Sequence, residues 1–280
     1  MKALLLLSAA LAVGSRASDP GRLDLDVSFI VPPEIQSEVL DYLERRYKDP
    51  VLLRHFGEDC GHRVSVEDFT DVYFDTDALA VLATRGEIRH RRRYARGEKV
   101  KELIQIKLPG DQALEELKFE VRPRVASIPS GFGFERVLPL VSLPRRKDWF
   151  EVARTVEAKF SVPVDELRPI VTIQQTRHRV YITRPGGVLF TMTLDVVDAR
   201  RLWATAAFTQ LEIEANEIVY SNASSAERRR MAGLQQEIAV DLRARFPSLT
   251  PNHSAKYARV FGSLEPQIWR LRSFIRWGIL

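Results

Sequence analysis

Five short segments of this chain alternate apolar with charged residues, and they restrict its fold more than any other feature. Arg89, Arg91 and Arg93 share one face of a strand, and Gln105 and Lys107 share one face of another. Lys118, Glu120 and Arg122 follow in a third, Thr193 and Asp195 in a fourth, and Gln210, Glu212 and Glu214 in a fifth. The alternate positions are apolar: Ile104, Ile106 and Leu108; Phe119 and Val121; Met192, Leu194 and Val196; Leu211 and Ile213. Successive side chains on a strand point to opposite faces, so each segment has one wet and one dry side. Charged faces from this many strands predict a sheet closed around a polar interior, its greasy side outward under helices. That inverts the ordinary barrel, whose inside is filled with apolar side chains.

The 280 residues are enough for one large domain or two small ones, and 45% hydrophobic with 28% charged residues supports a sizeable core. The formal charge of +5 suits an anionic ligand, and no nucleic-acid partner is expected from so modest an excess. Cys60 is the one cysteine, which excludes an intrachain disulfide and a thiolate zinc site.

At the N-terminus Lys2 precedes an apolar run from Ala3 to Val13, and Ser15-Arg16-Ala17 supplies small residues for cleavage. This reads as a secretory signal peptide cut near Ala17 or Ser18, which predicts an exported protein, periplasmic or extracellular. The expected organisation is a signal peptide over 1–18, a single catalytic domain over 19–265 and a basic amphipathic tail over 266–280.

Along the chain, Leu23 to Val31 alternates as a first strand. Pro32-Pro33 then opens a helix to about Tyr47, with Ile35, Val39, Leu40 and Leu43 on one side. Val51 to Asp68 has no clear period. Thr70 to Phe74 reads as a strand, Asp75 starts a short helix, and Glu87 to Tyr94 and Leu103 to Leu108 form a hairpin across Ala95 to Lys99. Ser127 to Pro144 reads as a linker or crossover. A helix follows from Asp148, with Glu151 completing a capping box. Strands are expected at Ile170–Gln175, Arg177–Thr183, Val188–Val196 and Phe208–Ala215, with Pro185-Gly186-Gly187 as a turn. Ser224 and Glu227 form a second capping box before a helix striped by Met231, Leu234, Ile238, Leu242 and Phe246.

Several guanidinium and ammonium groups aimed into one cavity repel each other unless an anion sits between them. Arginine presents a planar fork that matches phosphate oxygens. Carboxylates among them make sense if a divalent cation bridges protein and phosphate, since Mg²⁺ is held by one or two carboxylates plus substrate phosphates and Mn²⁺ prefers similar ligands.

Tyr73-Phe74-Asp75-Thr76, the run Ile88 to Tyr94 with its three alternating arginines, Ile104-Gln105-Ile106-Lys107, Leu211-Glu212-Ile213-Glu214 and Ser254-Ala255-Lys256-Tyr257 occur in that order. In this the chain resembles the triphosphate tunnel metalloenzymes of the CYTH-like superfamily. It is most similar to the VTC-type polyphosphate polymerase domains, across residues 22 to 262. The resemblance implies an α+β fold: a closed antiparallel barrel of about eight strands, flanked by helices. By that likeness Arg89, Arg91, Lys107 and Lys256 would act on the phosphate chain, and Arg93, Lys118, Arg177 and Arg179 would extend the basic lining. Glu212, with Glu214 and Asp195, would hold Mn²⁺ or Mg²⁺. The implied chemistry is in-line attack on the γ-phosphorus of a nucleoside triphosphate, or transfer on polyphosphate, with the protein supplying position and charge. Polymerase, triphosphatase or polyphosphatase, and non-catalytic polyanion-binding readings stay open.

The likeness departs from the family pattern at three places. Asp24, Asp26 and Ser28 stand where the first strand usually carries a charged pattern ending in lysine. Gln105 replaces a common glutamate, and Ala255 separates Ser254 from Lys256. Elsewhere His90 falls out of phase with the arginines and is expected on the outer face. Trp269, Leu271, Phe274, Ile275 and Trp277, with Arg270, Arg272 and Arg276, make a tail able to lie on a membrane surface.

Overall fold

The computed structural model describes residues 26–107, 120–121 and 146–276. The expected signal segment, Asp24, Lys118, the Ser127–Pro144 stretch and Trp277 lie outside the described residues. The elements are β1 (Asp26–Val31), α1 (Gln36–Arg46), α2 (Pro50–Phe56), β2 (Gly61–Asp75), α3 (Ala80–Ala83), β3 (Glu87–Ala95), β4 (Glu98–Lys107), β5 (Glu120–Val121), α4 (Arg146–Phe160), β6 (Arg168–Arg184), β7 (Gly187–Arg201), β8 (Ala204–Ala215), α5 (Glu217–Asn222), α6 (Ser225–Arg245), β9 (Thr250–Pro251) and α7 (Lys256–Arg276).

The strands form one antiparallel sheet in the order β5-β4-β3-β2-β6-β7-β8-β1-β9. The expected strand count is close, because β5 and β9 are two-residue edges. The expected hydrogen-bonded closure is not found: among the described residues the pairing order ends at β5 on one side and β9 on the other. The hairpins follow turn chemistry. Arg96 and Gly97 both take positive φ, 52° and 80°, the backbone that suits a two-residue turn between twisted strands.

The two longest strands differ from the sequence expectation. The stretch without a clear period splits into α2 and the first half of β2. Its pattern is inverted: Val64 and Val66 face solvent at 47% and 54% exposure, while Glu67 is buried at 5%. The expected strands Ile170–Gln175 and Arg177–Thr183 are one continuous β6, because Thr176 simply takes its place in the alternation opposite Asp68.

The outer face is the dry one. Val180, Ile182, Phe190, Met192, Leu194, Leu211 and Ile213 pack under α1, α2 and α6, whose Val39, Leu43, Leu53, Met231, Leu234, Ile238 and Leu242 complete that core. Val72, Phe74, Ile88, Ile104 and Ile106 pack beneath α3 and α4 through Val81, Val156 and Phe160. Gly86 leaves room for this second core, since a Cβ there would lie 2.2 Å from the Phe160 ring.

The inner face changes character along its length. At one end Tyr73, Val171, Ile173, Val197 and Ala199 meet Tyr257, Val260, Phe261 and Leu264 of α7, so that end is filled by an apolar helix face. Pro266 lies inside α7, so the expected tail boundary at 265/266 falls within one helix. No helix among the described residues is long and apolar enough to cross a membrane.

Candidate functional site

Register places the inner-face residues in rows across the sheet. The row beside the α7 plug holds Gln105, Arg89 and Tyr73. The next holds Arg91, Asp71 and Ile173, and then come Arg93, Phe69 and Gln175. Glu67, Arg177, Asp195 and Gln210 form one row, and Ser65, Arg179, Thr193, Glu212 and Ser28 form the next. The outermost row is Arg63, Tyr181, Thr191, Glu214 and Asp26. Strict alternation is what gathers these residues, as every other position of seven strands points the same way.

Most of the deep cations already hold a carboxylate. Arg91 grips Asp71 through Nε and Nη2 at 2.7 and 2.6 Å. Arg89 donates Nε and Nη2 to Gln105 Oε1 at 2.9 and 2.7 Å and Nη1 to the Tyr73 hydroxyl at 2.5 Å. Arg177 binds Asp195 at 2.6 and 2.5 Å, and Lys256 Nζ reaches the same carboxylate at 2.5 Å while also donating to Gln175 Oε1 at 3.0 Å. The repulsion expected among buried arginines is therefore relieved largely by the protein's own acids. Burial alone would raise the Asp71 and Asp195 carboxyls, but the cations overcome it. Arg91 and Arg89 hold Asp71 below the usual carboxylate range, and Arg177 and Lys256 do the same for Asp195.

One place is short of negative charge. Arg93 and Arg179, on different strands, both hydrogen-bond to the single carboxylate of Glu67. Burial pushes both guanidinium groups below their ordinary pKa, with Arg179 and Arg177 adding to the fall for Arg93 and Arg177 adding to it for Arg179. The Phe69 ring sits under this group, with the guanidinium carbons of Arg91, Arg177 and Arg179 at 4.7, 5.3 and 5.7 Å from its centre. Cations this close to an aromatic ring are attracted by its electron-rich face, which helps hold the guanidinium groups together.

The acidic residues separate into two roles. Asp195 was expected with Glu212 and Glu214 as a metal ligand, but both its oxygens are taken by Arg177 and Lys256. Glu212 accepts from Gln210 Nε2 at 2.8 Å and lies 3.6 Å from Arg177. Asp26 stands opposite Glu214 and Ser28 opposite Glu212 on neighbouring strands. Among the described residues no group of three metal-ligating side chains forms a ready-made cage. Glu212, Glu214 and Asp26 fit instead a hard cation that shares its coordination with substrate oxygens.

Of the other expected residues, Arg89, Arg91, Arg93, Arg177, Arg179 and Lys256 all lie on this inner face. Lys107 stands opposite Glu87 at the plugged end. His90 is on the outer face as expected, yet buried, with Nε2 2.8 Å from Glu102. Sequence reading missed Glu67, Phe69, Asp71 and Glu87. The signal for the first three is the alternation of odd positions from Arg63 to Tyr73, obscured because the even positions of that strand begin with exposed valines, while Glu87 continues the odd-numbered face of Arg89, Arg91 and Arg93. Gln175 Nε2, Thr193 Oγ1 and Gln210 Oε1 are buried on this face without a hydrogen-bond partner, which leaves polar capacity directed at the interior.

Comparison with known proteins places this architecture. A CYTH domain matches residues 44–236. The chain belongs to the CYTH domain family. The matched span takes in every strand from β2 to β8 and ends within α6. CYTH domains form part of the triphosphate tunnel metalloenzyme superfamily, whose members generally use divalent metals and triphosphate substrates. No curated protein matches the chain. Similar solved structures include a provisionally assigned adenylate cyclase from Bacillus halodurans, at 17% identity and a TM-score of 0.49, covering 86% of this chain and 98% of that one. A Hippeastrum adenylyl cyclase, described as having a dominant triphosphatase activity, matches at 13% identity and a TM-score of 0.45, over 85% and 93% of the two chains. The Pct1 RNA triphosphatase of S. pombe matches at 14% identity and a TM-score of 0.39, over 80% and 83%.

Proposed function

We propose that this CYTH protein carries out divalent-metal-dependent phosphoryl transfer on polyphosphate or a nucleoside triphosphate, in the manner of the VTC-type polyphosphate polymerases. The observation that carries this reading is the pair Arg93 and Arg179 competing for Glu67. Two cations on one carboxylate, with Arg177 alongside, leave a positive site that a phosphate chain completes. Arg89, Arg91 and Lys256, held rigidly by Gln105, Asp71 and Asp195, form the floor toward the plugged end.

Glu212 and Glu214, with Asp26, would hold Mg²⁺ or Mn²⁺. When bound, that ion neutralises charge on the phosphate oxygens. Arg93, Arg177 and Arg179 orient the chain and stabilise charge that builds on the transferred group. The apolar face of α7 blocks the far end, so the reacting phosphate is held against a fixed floor. With the nucleophile supplied by a phosphate chain end, the product is polyphosphate. With water, it is free phosphate. We further read the N-terminal segment as an export signal and the C-terminal tail as a peripheral membrane contact.

The test is to incubate the purified mature chain, from Asp19, with ATP and Mn²⁺ and with polyphosphate and Mn²⁺, following released phosphate and polymer length together. The proposal expects turnover that vanishes in folded Glu212→Ala. Polymer growth supports the polymerase-like form, and release without growth makes the protein a hydrolase. A second reading, a non-catalytic polyanion-binding module, is favoured by Ser28 standing where a lysine is common and by the internal neutralisation of Arg91 and Arg177. Salt-sensitive polyphosphate binding with no turnover would select it.

A further inference from the structure

The outermost row of the inner face carries a built stack. Arg63 and Tyr181 are cross-strand partners on β2 and β6, and the Arg63 guanidinium carbon lies 4.3 Å from the centre of the Tyr181 ring. Ser65 Oγ, one row deeper on the same strand, lies 3.1 Å from the Tyr181 hydroxyl and fixes the ring's tilt. Arg63 is exposed and Tyr181 half-buried, so the ring braces a planar cation whose outer face meets solvent. Neither residue belongs to the carboxylate-paired set deeper in the interior.

Position gives this pair a role. In register Arg63 and Tyr181 are one row outward from Arg179 and two rows outward from Arg177. Rows of same-face residues are separated by two residues of rise, about 6.6 Å. The opposite end of the interior is filled by Tyr257, Phe261 and Leu264 of α7. A nucleoside triphosphate whose phosphates lie along Arg177, Arg179 and Arg93 therefore directs its sugar and base outward, into the row that also holds Asp26 and Glu214. There the first aromatic–guanidinium platform it meets is Arg63 on Tyr181. Purine and pyrimidine rings stack well on guanidinium planes and aromatic faces.

We propose that Arg63 and Tyr181 form a nucleobase-stacking subsite in the outermost row, which lets the site distinguish a nucleoside triphosphate from inorganic tripolyphosphate. This rests on the reading of the interior as a triphosphate site. The subsite recognises a ring face and not its edge, so it takes ATP and GTP about equally.

The test compares equilibrium binding of ATP, GTP and inorganic tripolyphosphate, each with Mg²⁺, by calorimetry on the full chain. Wild type is compared with Tyr181→Ala, Tyr181→Phe and Arg63→Lys. Arg63→Lys keeps the charge and removes the plane. Tyr181→Ala and Arg63→Lys should each weaken ATP and GTP about tenfold and leave tripolyphosphate unchanged. Tyr181→Phe, which keeps the ring, should stay near wild type and remains informative if the alanine variant does not fold. Equal weakening of all three ligands, or no change in any, overturns the subsite while leaving the triphosphate site standing. Wild type that binds none of the three overturns both.

Discussion

Asp195 is fully buried, and cations from two separate elements close on it: Arg177 from β6 and Lys256 from the start of α7. Removing it strands two charges where water cannot reach them. Asp195→Ala should lower stability by about 3–5 kcal/mol in urea unfolding, the cost of breaking a buried pair from one side. His90 makes a different test. Burial holds its imidazole below the ordinary pKa, against the pull of Glu102. As pH falls the unfolded chain takes up that proton first, near pH 6.5, so His90 withdraws stability as pH drops below about 6.5. The stability difference between wild type and His90→Gln, measured by denaturant titration from pH 8 to 5, should therefore move against wild type on the acid side. The alternating segments already placed the arginines and Glu212 in the sequence, and Lys256 was singled out by the family likeness alone. They did not disclose which acid each cation would take, because Asp71 and Glu67 come from a strand whose apolar face begins with two exposed valines, Val64 and Val66, and is buried only from Val72 on.

At the level of elements, β3 depends on the turn before it. Gly86 enters that strand with Lys107 and Phe160 against its α-carbon, and a methyl there would meet the Phe160 ring at 2.2 Å. Gly86→Ala should cost about 1–3 kcal/mol as the ring shifts, read as a lower midpoint in thermal unfolding with the far-ultraviolet spectrum retained. Helix α7 shows what periodicity can and cannot give. From the sequence only its end stood out, as a basic amphipathic tail able to lie on a membrane surface. The first turns of the helix, through Tyr257, Val260, Phe261 and Leu264, are spent inside the sheet, with Tyr257 stacked on Tyr73 at 4.9 Å and its hydroxyl donating to Asp75 at 3.1 Å. Which apolar surface a helix covers is a property of its neighbours and not of its own period.

For the molecule as a whole, a polar interior flanked by dry outer cores makes stability depend on ionised carboxylates. Asp71 and Asp195 titrate below their unfolded values, so their contribution is present above about pH 4 and is lost as pH falls through the folded values below it. In the His90→Gln background, which removes the histidine's own acid-side loss, thermal midpoints should hold level down to about pH 4 and then fall steeply. Asp71→Asn should start lower and show a shallower acid limb. A flat profile to pH 2 would show that these acids are not held ionised by the fold.

The sequence by itself determined the two-faced strands, the helices that cover the dry side and the set of cations on the wet side. Alternation is local, and each strand carries its own. Tertiary structure alone decided the rest. It gave Glu67 to two arginines at once, paired Asp195 with Arg177 and with Lys256 from 61 residues away, and closed one end of the interior with α7. Those outcomes depend on register between distant strands, which fixes who faces whom, and no single segment encodes it.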